Sequence, residues 1–216
     1  MRARLAAGLL ALTAVGTSCQ SAVIGLKEKL GIPKREQLVA RVEDGREAQL
    51  EAKQEFQDAL AAFKAATGFK GGELEDLYED LKGRQDDCAA SVEEVGERID
   101  AIEGVAEALF DEWSAEIDQY QSIELKSKSK AQLADTQRRY QDLISAMRKA
   151  EAKMDPVLAA FKDRVLYLKH NLNAMAIASL DKDLVSVEGD VAKLVSEMER
   201  SIAEADAFIK SMDGGA

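Results

Sequence analysis

Few residues in this chain are of a type that does chemistry, and fewer are spaced for it. His170 is the single histidine, so every acid–base or nucleophilic mechanism would have to run through it. It sits in Tyr167-Leu168-Lys169-His170-Asn171 beside an apolar seam, where a structural role is the expectation, and no Ser-His-Asp or Cys-His set can be composed around it. A metal site needs convergent ligands, usually including His or Cys. The acidic pairs Glu43-Asp44, Asp86-Asp87 and Glu93-Glu94 are adjacent in sequence. Neighbours on a helix point about 100° apart, so they read as solvated faces rather than ligand sets. A phosphate-cradling loop is missing too: Gly68-Phe69-Lys70-Gly71-Gly72 lacks the spacing of Gly-x-x-x-x-Gly-Lys-Ser/Thr. Cys88 falls on a heptad seam, where a free cysteine behaves as a small buried apolar group. Lys126, Lys128 and Lys130 read as a wet turn, with contact to phosphate head groups or an acidic partner as the chemical alternative. The expectation is a protein with no catalytic residues, no cofactor and no metal.

The remaining chemistry is at Cys19. Arg2 and Arg4 give a basic start, Leu5 to Val15 an apolar stretch of about 11 residues, and Gly16-Thr17-Ser18 a small-residue cleavage region. The stretch is too short to span a bilayer, so residues 1–18 read as a signal peptide. A cysteine directly after such a region resembles the lipobox of bacterial lipoproteins, although Gly16 stands where the usual leucine would. The resemblance implies diacylation of Cys19, and Gln20 behind it resembles outer-membrane sorting. The alternative is ordinary cleavage to a soluble periplasmic protein. With Cys19 lipidated, Cys88 has no partner within the chain and no disulfide framework is expected.

The elements that must position any site are helices. Charged residues make up 32 % of the 216, aromatics 5 %, and there are two prolines, the composition of long helices. A net charge of -11 argues against general affinity for nucleic acid or anionic lipid. Residues 19–35 read as a lipid-anchored tether in which Val23, Leu26 and Leu30 share a face and Gly31-Ile32-Pro33 ends any helix. This piece is expected to lie on a membrane surface or to pack on the body. Residues 36–212 form the helical coiled-coil domain. Its helices are predicted over 36–67, 73–121, 130–180 and 183–212, with turns at Gly68 to Gly72 and Ser122 to Lys130.

The second helix carries the most regular seam, in four-three spacing: Leu74, Tyr78, Leu81, Gln85, Cys88, Val92, Val95, Ile99, Ile102, Ala106, Leu109, Trp113, Glu116, Tyr120. The third continues it through Leu133, Gln137, Tyr140, Ile144, Met147, Glu151, Met154, Leu158, Phe161, Val165, Leu168, Leu172, Met175 and Ser179. Pro156 either kinks that helix or stands at the first position of a second one capped by Asp155. Short turns make successive helices antiparallel. The fold class expected is all-α: long antiparallel coiled-coil helices in a four-helix bundle. The two middle helices outrun the outer ones, leaving a projecting two-helix arm over about 104–150. Val105, Phe110, Trp113, Ile117 and Leu143 lie on or off the arm's seam with no helix left to cover them. They are the candidate partner-contact residues; the alternative is that the first or last helix slides over to cover the arm and they belong to the core.

The stretches KREQLVARVEDGREAQLEAKQEF and DTQRRYQDLISAMRKAEAKMDPVLAAFKDRVLYLKHNLNAMAIASL resemble a bacterial family catalogued as domain of unknown function 2959, across about 19–212. The resemblance implies a bacterial, exported, helical protein and carries over no site. The function expected is a membrane-anchored envelope scaffold or adaptor, on the periplasmic face of the outer membrane. It would engage a protein partner, or a second copy of itself, through the arm. The alternative is a bundle that binds a lipid or other small apolar ligand.

Overall fold

A computed structural model describes residues 16–68, 74–171 and 174–213, with side chains from Val23 onward except 174–179, 181–183 and 213. The leader stretch 1–15, the glycine pair 71–72, Leu172, the side chains of Cys19, Met175 and Ser179, and Gly214-Gly215 lie outside the described residues. The described chain is five α-helices: α1 (Gly16–Lys29), α2 (Lys34–Thr67), α3 (Leu74–Ile117), α4 (Ile123–His170) and α5 (Ala174–Asp213). None is long and apolar enough to cross a membrane.

Helices α2 to α5 form a closed ring. α3 packs on α2 and α4, α5 packs on α4 and α2, and neither diagonal pair of backbones approaches closely. Ion pairs along the closing edge show that α2 and α5 run antiparallel. Arg46 meets Asp206 at 2.6 Å, Lys53 meets Glu199 at 3.5 Å and Lys64 meets Glu188 at 2.7 Å, rising along one helix as they fall along the other. Between α3 and α4, Arg148 reaches both Asp100 at 2.5 Å and Glu103 at 2.6 Å, which fixes the register of that pair.

The heptad pattern explains the core. On α2 the buried stripe is Leu38, Val42, Gly45, Ala48, Ala52, Phe56, Ala59, Phe63 and Ala66. Its many small residues let the neighbouring backbones come close. At Gly45 an added Cβ would stand 2.9 Å from Ile102 Cδ1 and 3.0 Å from Met147 Cε, so α2, α3 and α4 converge there. Larger groups fill the opposite half. Phe161 of α4 stacks on Phe63 with ring centroids 5.0 Å apart and on Phe56 at 6.1 Å, bridging the diagonal to α2.

Three boundaries differ widely from those read in the sequence, and α3 also ends earlier, at Ile117. α4 starts at Ile123, because Ser122 caps it and accepts from the Leu125 amide at 3.3 Å, so the lysine segment is the first two turns of a helix rather than a turn. α4 then ends at His170, where the Asn171 amide donates to the Leu168 carbonyl. α5 begins at Ala174, nine residues before the predicted start. Pro156 sits inside an unbroken α4. It is exposed, so the carbonyl its ring frees four residues earlier faces water, while buried Met154, Val157 and Phe161 hold the helix on course.

The longer α5 shortens the arm. Met212 near its end belongs to the core, and its carbonyl accepts from Arg35 Nη2, tying the end of α5 to the start of α2. Lys34, beside Arg35, bridges Glu28 at 2.7 Å and Glu112 at 3.0 Å, so the start of α2 is level with Glu112 of α3. Burial alone would lower the Lys34 pKa, but the two carboxylates outweigh it and the ammonium is held above its usual value. The main core runs along α3 as far as Leu109 and back along α4 to Tyr140. Beyond it Ile117 and Leu133 are buried outside that core, the seam of a short hairpin. The arm predicted over 104–150 is therefore only about residues 113–134.

Candidate functional site at the tether end of the bundle

Four elements meet at the end where α2 starts: α1 with its turn, the start of α2, the α3–α4 hairpin and the end of α5. α1 is strapped down through buried Gln37, whose Nε2 donates to the Ile32 carbonyl at 2.9 Å and to the Ile24 carbonyl at 3.3 Å. Gly31 takes φ 85° in the connecting turn, a left-handed conformation that favours glycine. Ile24 enters the core, while Val23, Leu26 and Leu30, the face read as shared in the sequence, point to solvent.

A cleft of about 580 Å³ opens where the hairpin leaves the bundle. Leu109, Trp113 and Met212 give it apolar walls, and Arg35, Glu112, Glu116, Lys128, Gln132 and Asp135 supply polar groups. Trp113 Nε1 donates to Ser129 Oγ at 2.9 Å, which fixes the indole plane. Glu112 is neutralised by Lys34, and Asp135 by Arg138 and Arg139, whose hydrogen bonds hold its carboxyl below the usual range. The volume falls within the range typical of small-molecule sites.

The five residues expected to form an exposed contact stripe do not. Val105 and Leu143 are core residues. Ile117 is buried in the hairpin seam. Phe110 is half-buried, edge-on to the Tyr140 ring at 5.4 Å. Trp113 alone of the five lines an accessible surface, as a wall of the cleft. The reason is geometric: α5 is long enough to cover most of the proposed arm. The exposed apolar groups lie further out, at Tyr120, Ile123 and Leu125 on the hairpin tip, with Ile123 88 % exposed. Reading Ser122 as the helix cap would have found them, since residues at a helix start beyond the bundle have no neighbours to cover them.

Lys126 pairs with Asp118 across the tip at 3.1 Å and depresses its pKa, chiefly through their hydrogen bond. Lys128 and Lys130 have no ion pair among the described residues. His170 is exposed in the last turn of α4, outside the core. Among the described residues no three ligand-type side chains converge as a metal site would require.

Cys88 is fully buried on α3. Desolvation, followed by the Glu55 carboxylate, pushes its thiol up to about 12. The thiolate is the reactive form. At pH 8, labelling of native Cys88 should therefore be about a thousandfold slower than labelling of an exposed thiol near its ordinary pKa. Stopped-flow reaction with a chromogenic disulfide checks this; labelling without denaturant at the rate of a small-molecule thiol would show an open site.

An all-α bundle with an amphipathic cleft at the end where α1 docks is the class that fold and site define. The chain belongs to the family described as protein of unknown function (DUF2959), which matches residues 24–212. No curated protein and no solved structure matches it.

Proposed function

We propose that this is a bacterial lipoprotein of the cell envelope, held by a lipid on Cys19 at the periplasmic face of the outer membrane. It serves as a scaffold or adaptor through its helical surfaces, without catalysis. One observation carries the reading. Of the eleven large apolar residues exposed among the described side chains, seven lie on α1, its turn or the hairpin tip: Val23, Leu26, Leu30, Ile32, Tyr120, Ile123 and Leu125. A chain anchored near residue 19 brings these surfaces close to whatever it is anchored to, and exposed apolar clusters mark contact sites. The outward face of α1 and its docking on α2 and α3 fit a tether that both folds against the body and meets a surface.

Replacement Cys19→Ala is expected to move the protein from the membrane fraction to the soluble one and to remove the acyl mass from the intact chain. A wild-type protein that is soluble and unacylated would end the anchor reading. The cleft favours a second function, binding of a small amphipathic ligand between Trp113, Met212 and Lys128. Native mass spectrometry of the same preparation separates the two: a copurified small molecule lost in Trp113→Ala supports binding, and a bare chain opposes it.

A further inference from the structure

We propose that the α3–α4 hairpin tip is a bilayer-docking element, in which Tyr120, Ile123 and Leu125 enter the interfacial layer of a phospholipid membrane while Lys126, Lys128 and Lys130 face its phosphates. The inference deepens the envelope reading and rests on it for a bilayer within reach. Exposure is the first argument. Ile123, Leu125 and Tyr120 are 88 %, 53 % and 43 % exposed, and they stand beyond the last residues of α2 and α5 that could have covered them. Their types match a shallow insertion, two aliphatic groups with a tyrosine whose ring is at home between hydrocarbon and water.

Charge is the second argument. In a chain of net charge -11, three lysines fall within five residues directly behind the apolar tip. Their long stems can run along the helix and place the ammonium groups at head-group depth. Lys128 and Lys130 form no direct ion pair among the described residues, and Lys130 acts on Asp118 only at longer range, so an external anion has no close carboxylate contact to displace.

Size and position are the third. A stable protein interface engages 20 to 30 residues a side, and three side chains on a convex tip are far fewer, whereas shallow insertion needs only a few apolar groups. The tip is also on the tether side. Lys34, where the tether joins α2, is level with Glu112, and the tip lies just past that level. Leu30 and Ile32, in the turn before Lys34, are exposed at the same end.

The test uses the Cys19→Ala chain, which carries no acyl group, with vesicles of phosphatidylethanolamine and phosphatidylglycerol. The expected result is flotation with the vesicles, and a partition coefficient about a hundredfold lower for Cys19→Ala/Ile123→Asp/Leu125→Asp. Both aspartates fall in the first turn of α4, where the helix dipole favours a negative charge, so circular dichroism should show the fold unchanged. A Tyr120→Trp reporter on a Trp113→Phe background should shift its emission to the blue on binding. Equal flotation of parent and variant, or an unshifted reporter, would overturn the proposal. So would failure to float combined with self-association that depends on Ile123, which would make the tip a protein interface. Failure of the acyl-anchor reading would appear separately, as missing acyl mass on the wild-type chain.

Discussion

Truncating Phe161 to alanine is expected to destabilise the bundle by about 3–5 kcal/mol. The ring is fully buried and stacks on Phe63 and Phe56, with interplanar angles of 10° and 28°. It therefore carries a large buried area and two aromatic contacts worth more than area alone. These rings join α4 to α2 across the middle of the ring of helices, where the backbones do not touch. The cavity left behind would be lined by two other rings that cannot rotate to fill it. Since whole domains are stable by only about 5–15 kcal/mol, the change is a large fraction of the total. Urea unfolding followed by circular dichroism measures it. A loss below about 1 kcal/mol would mean that the far half of the bundle is loosely packed.

Gly45→Leu is expected to cost about 2–3 kcal/mol, through the opposite error of overpacking. Glycine inside a helix is ordinarily a weakness, and alanine there gains about 1 kcal/mol in propensity. At Gly45 that gain is set against contacts of 2.9 and 3.0 Å from the new Cβ to Ile102 and Met147, both fully buried. The struck atoms are ends of flexible side chains, so alanine has a small effect either way. Leucine adds three more carbons where three helices converge, and the neighbours cannot give that far. Thermal unfolding reads the difference. A variant as stable as wild type would show that α2 can slide away from α3 without loss.

The seam of α3 was legible as far as Leu109, because four-three spacing is the direct signature of helices that pack along their length. A few residues past Leu109 α2 comes to its end, level with Glu112, and the hairpin seam is then formed with α4. The buried residue becomes Ile117, while Glu116 and Tyr120, which the spacing continued to, face water. The fold class survived this because it depends on period. The arm did not, because it depends on where helices stop. Asn171-Leu172-Asn173 holds neither glycine nor proline, and the apolar period runs through it, so the spacing alone extended one helix to 180. That boundary shortened α5, lengthened the arm and placed Leu143 on a surface it does not occupy, while Val105 was misplaced because α2 reaches along α3 as far as Glu112. The burial of Cys88 was legible because it lies well inside the regular region. The cleft was not, since Arg35, Trp113, Lys128 and Met212 come from four helices and no local pattern joins them.

The docking of α1 gives the tether two lengths. If the chain is held at Cys19 as proposed, the part of α1 from Cys19 to Lys29 rises about 16 Å as a helix and reaches about 40 Å when drawn out. Among the described side chains, the Gln37 hydrogen bonds, the Lys34–Glu28 pair and the burial of Ile24 hold it to the body, a smaller contact than joins neighbouring helices of the ring. Under tension applied at Cys19, α1 would release well before the bundle opened. The body would then stand up to about 20 Å further from the point of attachment, still folded. On the proposed anchor the leash would therefore yield first, and it would give the bundle a range of heights above the surface rather than a single one.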